Sequence, residues 1–242
     1  MILIEFTLKS VMILIELNFL CGGIHMDFDQ IITSRRSIRF FNSKPVAPDL
    51  LTEILTLANY APSWSDSQPW QVYLAQGETL AKIKAAHQKA TAAKLATSPT
   101  LAPMRRRFWE DFARENMHNN SEAMRAFVGG AENLTEFNQA QTDLFNAPVI
   151  CYLTIPQKAP DWSLFDLGLF SQSLTLAAKS RGVDSIIAYE LIKYTDQLKA
   201  TLQIPASENL IAGIALGYRD SHALNDYQSP RRPLAEFVHT FD

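Results

Sequence analysis

Between residues 147 and 217 three apolar runs, "APVICYLTI", "VDSIIAY" and "NLIAGIALG", bracket one long helix-period stretch, "DWSLFDLGLFSQSLTLAAKSRG". Short runs this apolar read as buried strands, and the stretch between the first two reads as a long buried helix closed by Gly182. The alternation of helix and strand extends back to Met26, with no internal repeat and no low-complexity linker to divide it.

The first half reads the same way. "FDQIITS" is a short amphipathic helix, and "PDLLTEILTLANYA" is a second, with Pro48 suited to its first turn and Leu51, Ile54, Leu55 and Ala58 on one face. "WQVYLA" alternates as a strand, and an alanine-rich helix runs from Gly77 to about residue 95. From Pro103 to Phe127 the chain is charged and helical, a surface helix pair packed by Phe108, Trp109 and Phe112. A further helix is expected near residues 195 to 202. The tail after Tyr218 is extended yet apolar at Leu234, Phe237, Val238 and Phe241, and a partner subunit is the natural surface for it.

With 242 residues, 47% of them hydrophobic, the chain buries a sizeable core in one large domain or two small ones. Its 22 basic and 25 acidic residues give no general attraction to nucleic acid or to an anionic membrane, so any anion site must be local. Cys21 and Cys151 stand in no metal or redox spacing and point to a reducing, cytoplasmic setting. His25, His87, His118, His222 and His239 lack the close pairings of metal sites, so no metal is expected. Residues 1–25 are strongly apolar, but Glu5, Lys9 and Glu16 interrupt them before a membrane span is reached. They are expected to be a non-native or disordered extension upstream of a domain covering residues 26–242.

The stretch that bears on function is "RRSIRFFNSKPV", residues 35 to 46. Arginine forks match phosphate oxygens bidentately and a serine hydroxyl adds a short donor. In an extended segment Arg35, Ser37 and Arg39 fall on one side and suit a terminal phosphate. A solvated basic turn is the plainer alternative. "PSWSDSQPW", residues 62 to 70, forms a rigid polar rim able to hydrogen-bond a heterocycle, and Arg231 with Arg232 supplies a second, distant cation pair. With no GxGxxG and no GxxxxGK[ST], a phosphate site here is neither Rossmann nor P-loop.

"SRRSIRFFNSKPV", "ILTLANYAPSWSDSQPW" and the late "GYRD…SPRRPLAEFV", in this order and spacing, resemble the FMN-dependent nitroreductase family, in particular its nitrobenzoate-reductase-like branch. The resemblance spans about Phe28 to Phe237. It implies an α+β fold, a mixed sheet flanked by helices, in an intertwined homodimer with FMN at the interface. It places Arg35, Arg36, Ser37, Arg39 and Arg231 on the FMN phosphate and ribityl region. Pro62, Ser63, Trp64 and Gln68 match the loop that reaches FMN from the other subunit, and Ile187, Ala188 and Tyr189 match the strand end beside the flavin ring, there through backbone groups. Gln141 is a candidate for the ring edge. Two departures stand out: Asp66 where many members carry asparagine, and Gln141 with Asp143 where members often carry asparagine or a cation.

The implied activity is a ping-pong cycle in which NAD(P)H reduces the flavin and a nitroaromatic or quinone-like acceptor reoxidises it. No catalytic side chain is required. The span 103–127 aligns with the family's variable helical lid, where Arg105, Arg106 and Arg107 would favour acidic aromatics or simply be solvated. Another FMN-dependent reaction on the same scaffold, such as enone reduction or dehalogenation, remains open, as does a flavin-binding protein with little turnover.

Overall fold

The computed structural model describes residues 27–129 and 134–241, so the expectations for residues 1–26 lie outside the described residues. In chain order its elements are α1 (Phe28–Ser34), α2 (Pro48–Ala58), β1 (Gln71–Gln76), α3 (Gly77–Ala92), α4 (Asp111–Phe127), α5 (Leu134–Thr142), β2 (Val149–Pro156), α6 (Trp162–Ser180), β3 (Asp184–Ile187), α7 (Thr195–Leu202) and β4 (Glu208–Gly217). The fold is α+β.

The four strands lie in the order β1-β2-β4-β3, each pair antiparallel. Among the described residues the sheet expected to be mixed is thus antiparallel throughout its four strands, and the one parallel contact at its edge is an isolated bridge between Ser37 and Ser185 of β3. Seven consecutive residues of β2, Val149 to Ile155, are buried, because both faces of the sheet are covered. Ile150 and Tyr152 join a core with Leu80 and Ile83 of α3 and Leu198 of α7. Val149, Cys151, Leu153 and Ile155 join a second core with Ile54 of α2 and Leu167, Phe170 and Leu174 of α6. The two-residue period of a strand thus feeds two separate cores from one segment. Full burial of a side chain such as Leu174 contributes about 1.5–3 kcal/mol.

Helix ends decide several boundaries. Asp27 and Gln30 form a reciprocal capping box at the start of α1. Gly182, at φ +71°, closes α6 as expected: its N–H reaches the Lys179 carbonyl and the Val183 N–H reaches that of Ala178. Helix α3 stops at Ala92, short of residue 95, through the same pattern, with Lys94 at φ +52° in the position glycine usually takes. Strand β3 also ends early, at Ile187, and Tyr189 opens a helical turn to Ile192. That turn folds back over Gly213, where an added Cβ would lie 2.6 Å from Cβ of Leu191.

The span 103–127 is helical only from Asp111, apart from one short turn at Arg106–Phe108. Three consecutive arginines leave residues 105–107 no apolar face to bury. Phe108, Trp109 and Phe112 are exposed, so the helix pair expected to pack around them does not form. Among the described residues no helix is long and apolar enough to cross a membrane.

Candidate functional site

The basic segment leaves α1 in an extended conformation and is fastened to the sheet edge. Ile38 N–H donates to the Ser185 carbonyl at 3.0 Å, Phe41 N–H to Phe145 at 3.2 Å and Asn42 N–H to Tyr218 at 2.9 Å. Ile38 and Phe41 are buried, which fixes the register of the polar residues between them.

A second attachment was not anticipated. Asn225 is fully buried and its Oδ1 accepts from the backbone N–H groups of Arg39 (2.9 Å) and Phe40 (3.2 Å). Its Nδ2 donates to the Phe40 carbonyl at 2.8 Å and to Asp220 Oδ1 at 3.1 Å. The side chain thereby acts as a strand partner for the basic segment.

Arg35, Arg36, Ser37 and Arg39 line one side of a cavity of about 300 Å³, and Tyr227, Gln228, Ser229 and Arg231 line the other. Arg36 donates to the Asp226 carbonyl at 3.1 Å and to the Gln228 side-chain oxygen, turned toward it, at 2.7 Å. Arg39 donates to the Ser37 carbonyl at 3.0 Å, and Arg231 to Ser229 Oγ at 2.7 Å. Among the described residues none of the four arginines forms an ion pair with a carboxylate. Burial, and then the charge of Arg231, pull Arg35 below its ordinary pKa. Burial likewise lowers Arg39, with Tyr227 acting in the opposite sense. Converging guanidiniums that are partly desolvated, repel one another and lack a carboxylate make a site for an external anion with several acceptor oxygens.

Arg232 has a different place. Its Nε lies 3.2 Å from Glu236 Oε2 and its guanidinium lies 4.8 Å over the Phe112 ring. Of the cation pair in the tail, only Arg231 faces the cavity.

The remaining residues singled out from the sequence do not line this cavity within one chain. Pro62, Ser63, Trp64 and Gln68 lie in a loop before β1, with Ser65, Asp66 and Gln68 all at positive φ. Trp64 N–H donates to the Asp166 carboxylate at 3.1 Å, the Trp64 ring packs 5.0 Å from Trp162, and Gln68 N–H donates to Ser63 Oγ at 2.9 Å. Asp66 Oδ1 accepts from Gln68 Nε2 at 2.8 Å, so the unusual anion holds the neighbouring amide. Gln141 sits on α5 and reaches Asn138 at 3.4 Å. Asp143 accepts from Gln88 and Gln139.

Ile187 and Tyr189 present exposed side chains at the end of β3. The backbone contacts expected there are not all free to form, since Ala188 N–H already donates to the Gly213 carbonyl at 3.3 Å. No role is assigned from the sequence to Ile32, Thr33, Tyr227 and Gln228 of the cavity lining or to the buried Asn225. "NDYQS" carries no periodicity to mark it, and its one signal is position, a few residues before Arg231.

Comparison with known proteins identifies the family. The nitroreductase family model matches residues 32–218. The chain is 30% identical over 225 residues to the 4-nitrobenzoate reductase of Pseudomonas putida, spanning 88% of this chain and 95% of the relative. It is also 30% identical over 219 residues to the chloronitrobenzene nitroreductase of Comamonas testosteroni, spanning 87% and 95%. The crystal structure of the FMN-dependent nitroreductase NfnB from Mycobacterium smegmatis in complex with NADPH superposes with a TM-score of 0.81 at 26% identity, covering 88% of this chain and 97% of that one. The chain belongs to the nitroreductase family.

Proposed function

We propose that this chain is an FMN-dependent oxidoreductase that uses NAD(P)H to reduce nitroaromatic or quinone-like acceptors. The observation that carries the reading is the convergence of Arg35, Arg36, Arg39 and Arg231 on one cavity with no carboxylate to pair them. The donor set fits the dianionic phosphate of FMN: two or more guanidinium forks, and the Ser37 and Ser229 hydroxyls as short neutral donors. The activity and reductant are supported by the nitrobenzoate and chloronitrobenzene relatives and by the FMN- and NADPH-dependent neighbour.

The chemistry FMN supplies when bound is two-electron transfer from NAD(P)H to the acceptor. The protein binds and orients. Arg35 and Arg231 would hold the phosphate, Arg36, Ser37 and Arg39 would serve the phosphate and ribityl region, and Ile187, Ala188 and Tyr189 would lie beside the ring, the first and last of these with exposed side chains. Gln141 is assigned to the ring edge. No side chain is assigned a proton transfer. The FMN-binding domain covers residues 26–242, with the span 103–127 as its lid, in a cytoplasmic enzyme.

The enzyme is proposed to act as a homodimer, the loop at residues 62–68 of each copy reaching the FMN of the other. Its support is exposed apolar surface: Trp64 at 59%, Leu234 at 71% and Phe241 at 93% exposure would be costly to leave in water. Sedimentation should give twice the 27.2 kDa chain mass.

The deciding experiment is the visible spectrum of the purified protein loaded with FMN, followed anaerobically through addition of NADPH and then 4-nitrobenzoate. Bleaching followed by recovery is expected. Bound flavin that neither NADPH nor NADH bleaches would replace the reductase reading with flavin storage, and failure to bind FMN would end both.

The departure at Asp66 has its own expected result. Asp66→Asn keeps an acceptor for Gln68 but removes an exposed negative charge from the loop assigned to the flavin, and should tighten FMN binding about threefold. Weaker binding would mean that the carboxylate itself is needed.

A further inference from the structure

Helix α4 is 17 residues long and buries none of its side chains. A helix of this composition has little to hold it except local pairs and whatever ties it to the rest of the chain. Its local pairs are Arg114 with Asp111 and Arg125 with Glu122, both solvent-facing. Among the described residues, its hydrogen bonds and ring contacts to the body of the protein run to Tyr227 and Arg232. Tyr227 Oη lies 2.9 Å from Asn120 Oδ1 and 3.1 Å from the Asn120 carbonyl oxygen. The Tyr227 ring meets Phe127 edge-on at 5.6 Å, and Arg232 covers the ring of Phe112.

The same short stretch, residues 227–231, forms one wall of the arginine cavity. Tyr227 is therefore shared: it lines the anion site, and its hydroxyl holds the helix. On the facing wall, Arg39 is near enough to offset part of the rise that burial imposes on the Tyr227 phenol. The repulsion between Arg35 and Arg231 acts across the same gap.

We propose that Tyr227 couples phosphate occupancy of the cavity to the ordering of α4, so that the lid docks when the cofactor phosphate is bound. An anion between Arg35 and Arg231 removes their repulsion and draws the 227–231 wall toward the basic segment. Tyr227 moves with that wall and carries Asn120 and Phe127 with it. The element with two states is α4 itself, docked or locally unfolded, and so sparsely packed a helix opens at low cost. Coupling is reciprocal, so docking of α4 tightens the grip on the phosphate by the same factor. Tyr227 is in this sense a positioning residue. The inference rests on FMN being the ligand of the cavity.

Amide hydrogen exchange of peptides within residues 111–127 tests it, with FMN binding followed separately by flavin fluorescence. At saturating FMN the exchange of α4 should slow about tenfold, while riboflavin, which lacks the phosphate, should leave it unchanged. In Tyr227→Phe, measured at a concentration of FMN saturating for that variant, α4 should exchange at the cofactor-free rate. Should that variant fold poorly, Asn120→Ala removes one of the two acceptors from the helix side and should lose part of the protection. Equal protection of α4 in wild type and in the folded variant, or equal protection by riboflavin, overturns the coupling and leaves the cofactor reading standing. Absence of any FMN binding to wild type overturns both.

Discussion

Replacing Arg35 and Arg231 together by alanine should weaken FMN binding about 10²- to 10³-fold while raising the melting temperature of the FMN-free protein. Each guanidinium offers charge-assisted hydrogen bonds to phosphate, worth about 1.5–3 kcal/mol apiece net of solvation. Losing both removes about 3–6 kcal/mol at most, and with Arg36 and Arg39 still present the lower part of that range, about 3–4 kcal/mol, gives the stated loss of affinity. The stability change has the opposite sign because burial and mutual repulsion already hold the Arg35 charge at a cost. Relief of about 0.5 kcal/mol raises the melting temperature of a domain this size by about 1 to 2 °C. Arg181→Ala, which breaks a surface pair with Glu53 at 3.2 Å, is the control and should leave FMN affinity as it was. Fluorescence titration reads the affinity and thermal unfolding reads the stability. An FMN affinity unchanged in the double variant would show that these arginines do not hold the phosphate.

Opposed effects on binding and folding mark a group kept for function rather than for the core. They also explain how the site could be read from sequence at all. Three arginines and a serine at alternating or adjacent positions are conspicuous in a chain with almost balanced charge, and an extended backbone places Arg35, Ser37 and Arg39 on one side without help from distant residues. The apolar run of β2 and the glycine that closes α6 were legible for a similar reason, since each signal and its consequence lie within a few residues. Legibility failed where the cause was remote. Lys94 ends α3 in a conformation that no local rule assigns to lysine. Tyr189 turns away from β3 because Leu191 packs over Gly213, which belongs to another strand. Composition alone does not separate Arg231 from Arg232; the family resemblance singles out Arg231, and in the structure it is Arg232 that has Phe112 and Glu236 within reach. The loop at residues 62–68 is a different case: its reading assigns it to the cavity of the other subunit, and within one chain it lies outside the cavity.

Asn225 is the most consequential residue that the sequence did not mark, and Asn225→Ala should destabilise the protein by about 3 kcal/mol. The variant leaves the N–H groups of Arg39 and Phe40 and the carbonyl of Phe40 without the partners that Asn225 supplies. A buried polar group left unpaired costs about 1–3 kcal/mol, and a cavity the size of an amide cannot repair every one of them. The melting temperature should fall by about 6 to 12 °C. Asn225→Asp separates the two halves of the side chain. It keeps acceptors for Arg39 and Phe40 but sets a buried carboxyl against Asp220 Oδ1, now 3.1 Å from Nδ2. Burial and the neighbouring carboxylate raise the pKa of the new group in the folded state. The folded protein then binds more protons than the unfolded chain between the two pKa values, so this variant should gain stability relative to wild type as pH falls through that window. Stability of Asn225→Ala within 1 kcal/mol of wild type would show that solvent or backbone adjustment replaces the side chain. Because Asn225 fixes the backbone that presents Ser37 and Arg39, FMN affinity should fall in Asn225→Ala together with stability. In the Arg35/Arg231 variant the same two quantities move apart, and that contrast separates the residue that builds the anion site from the residues that use it.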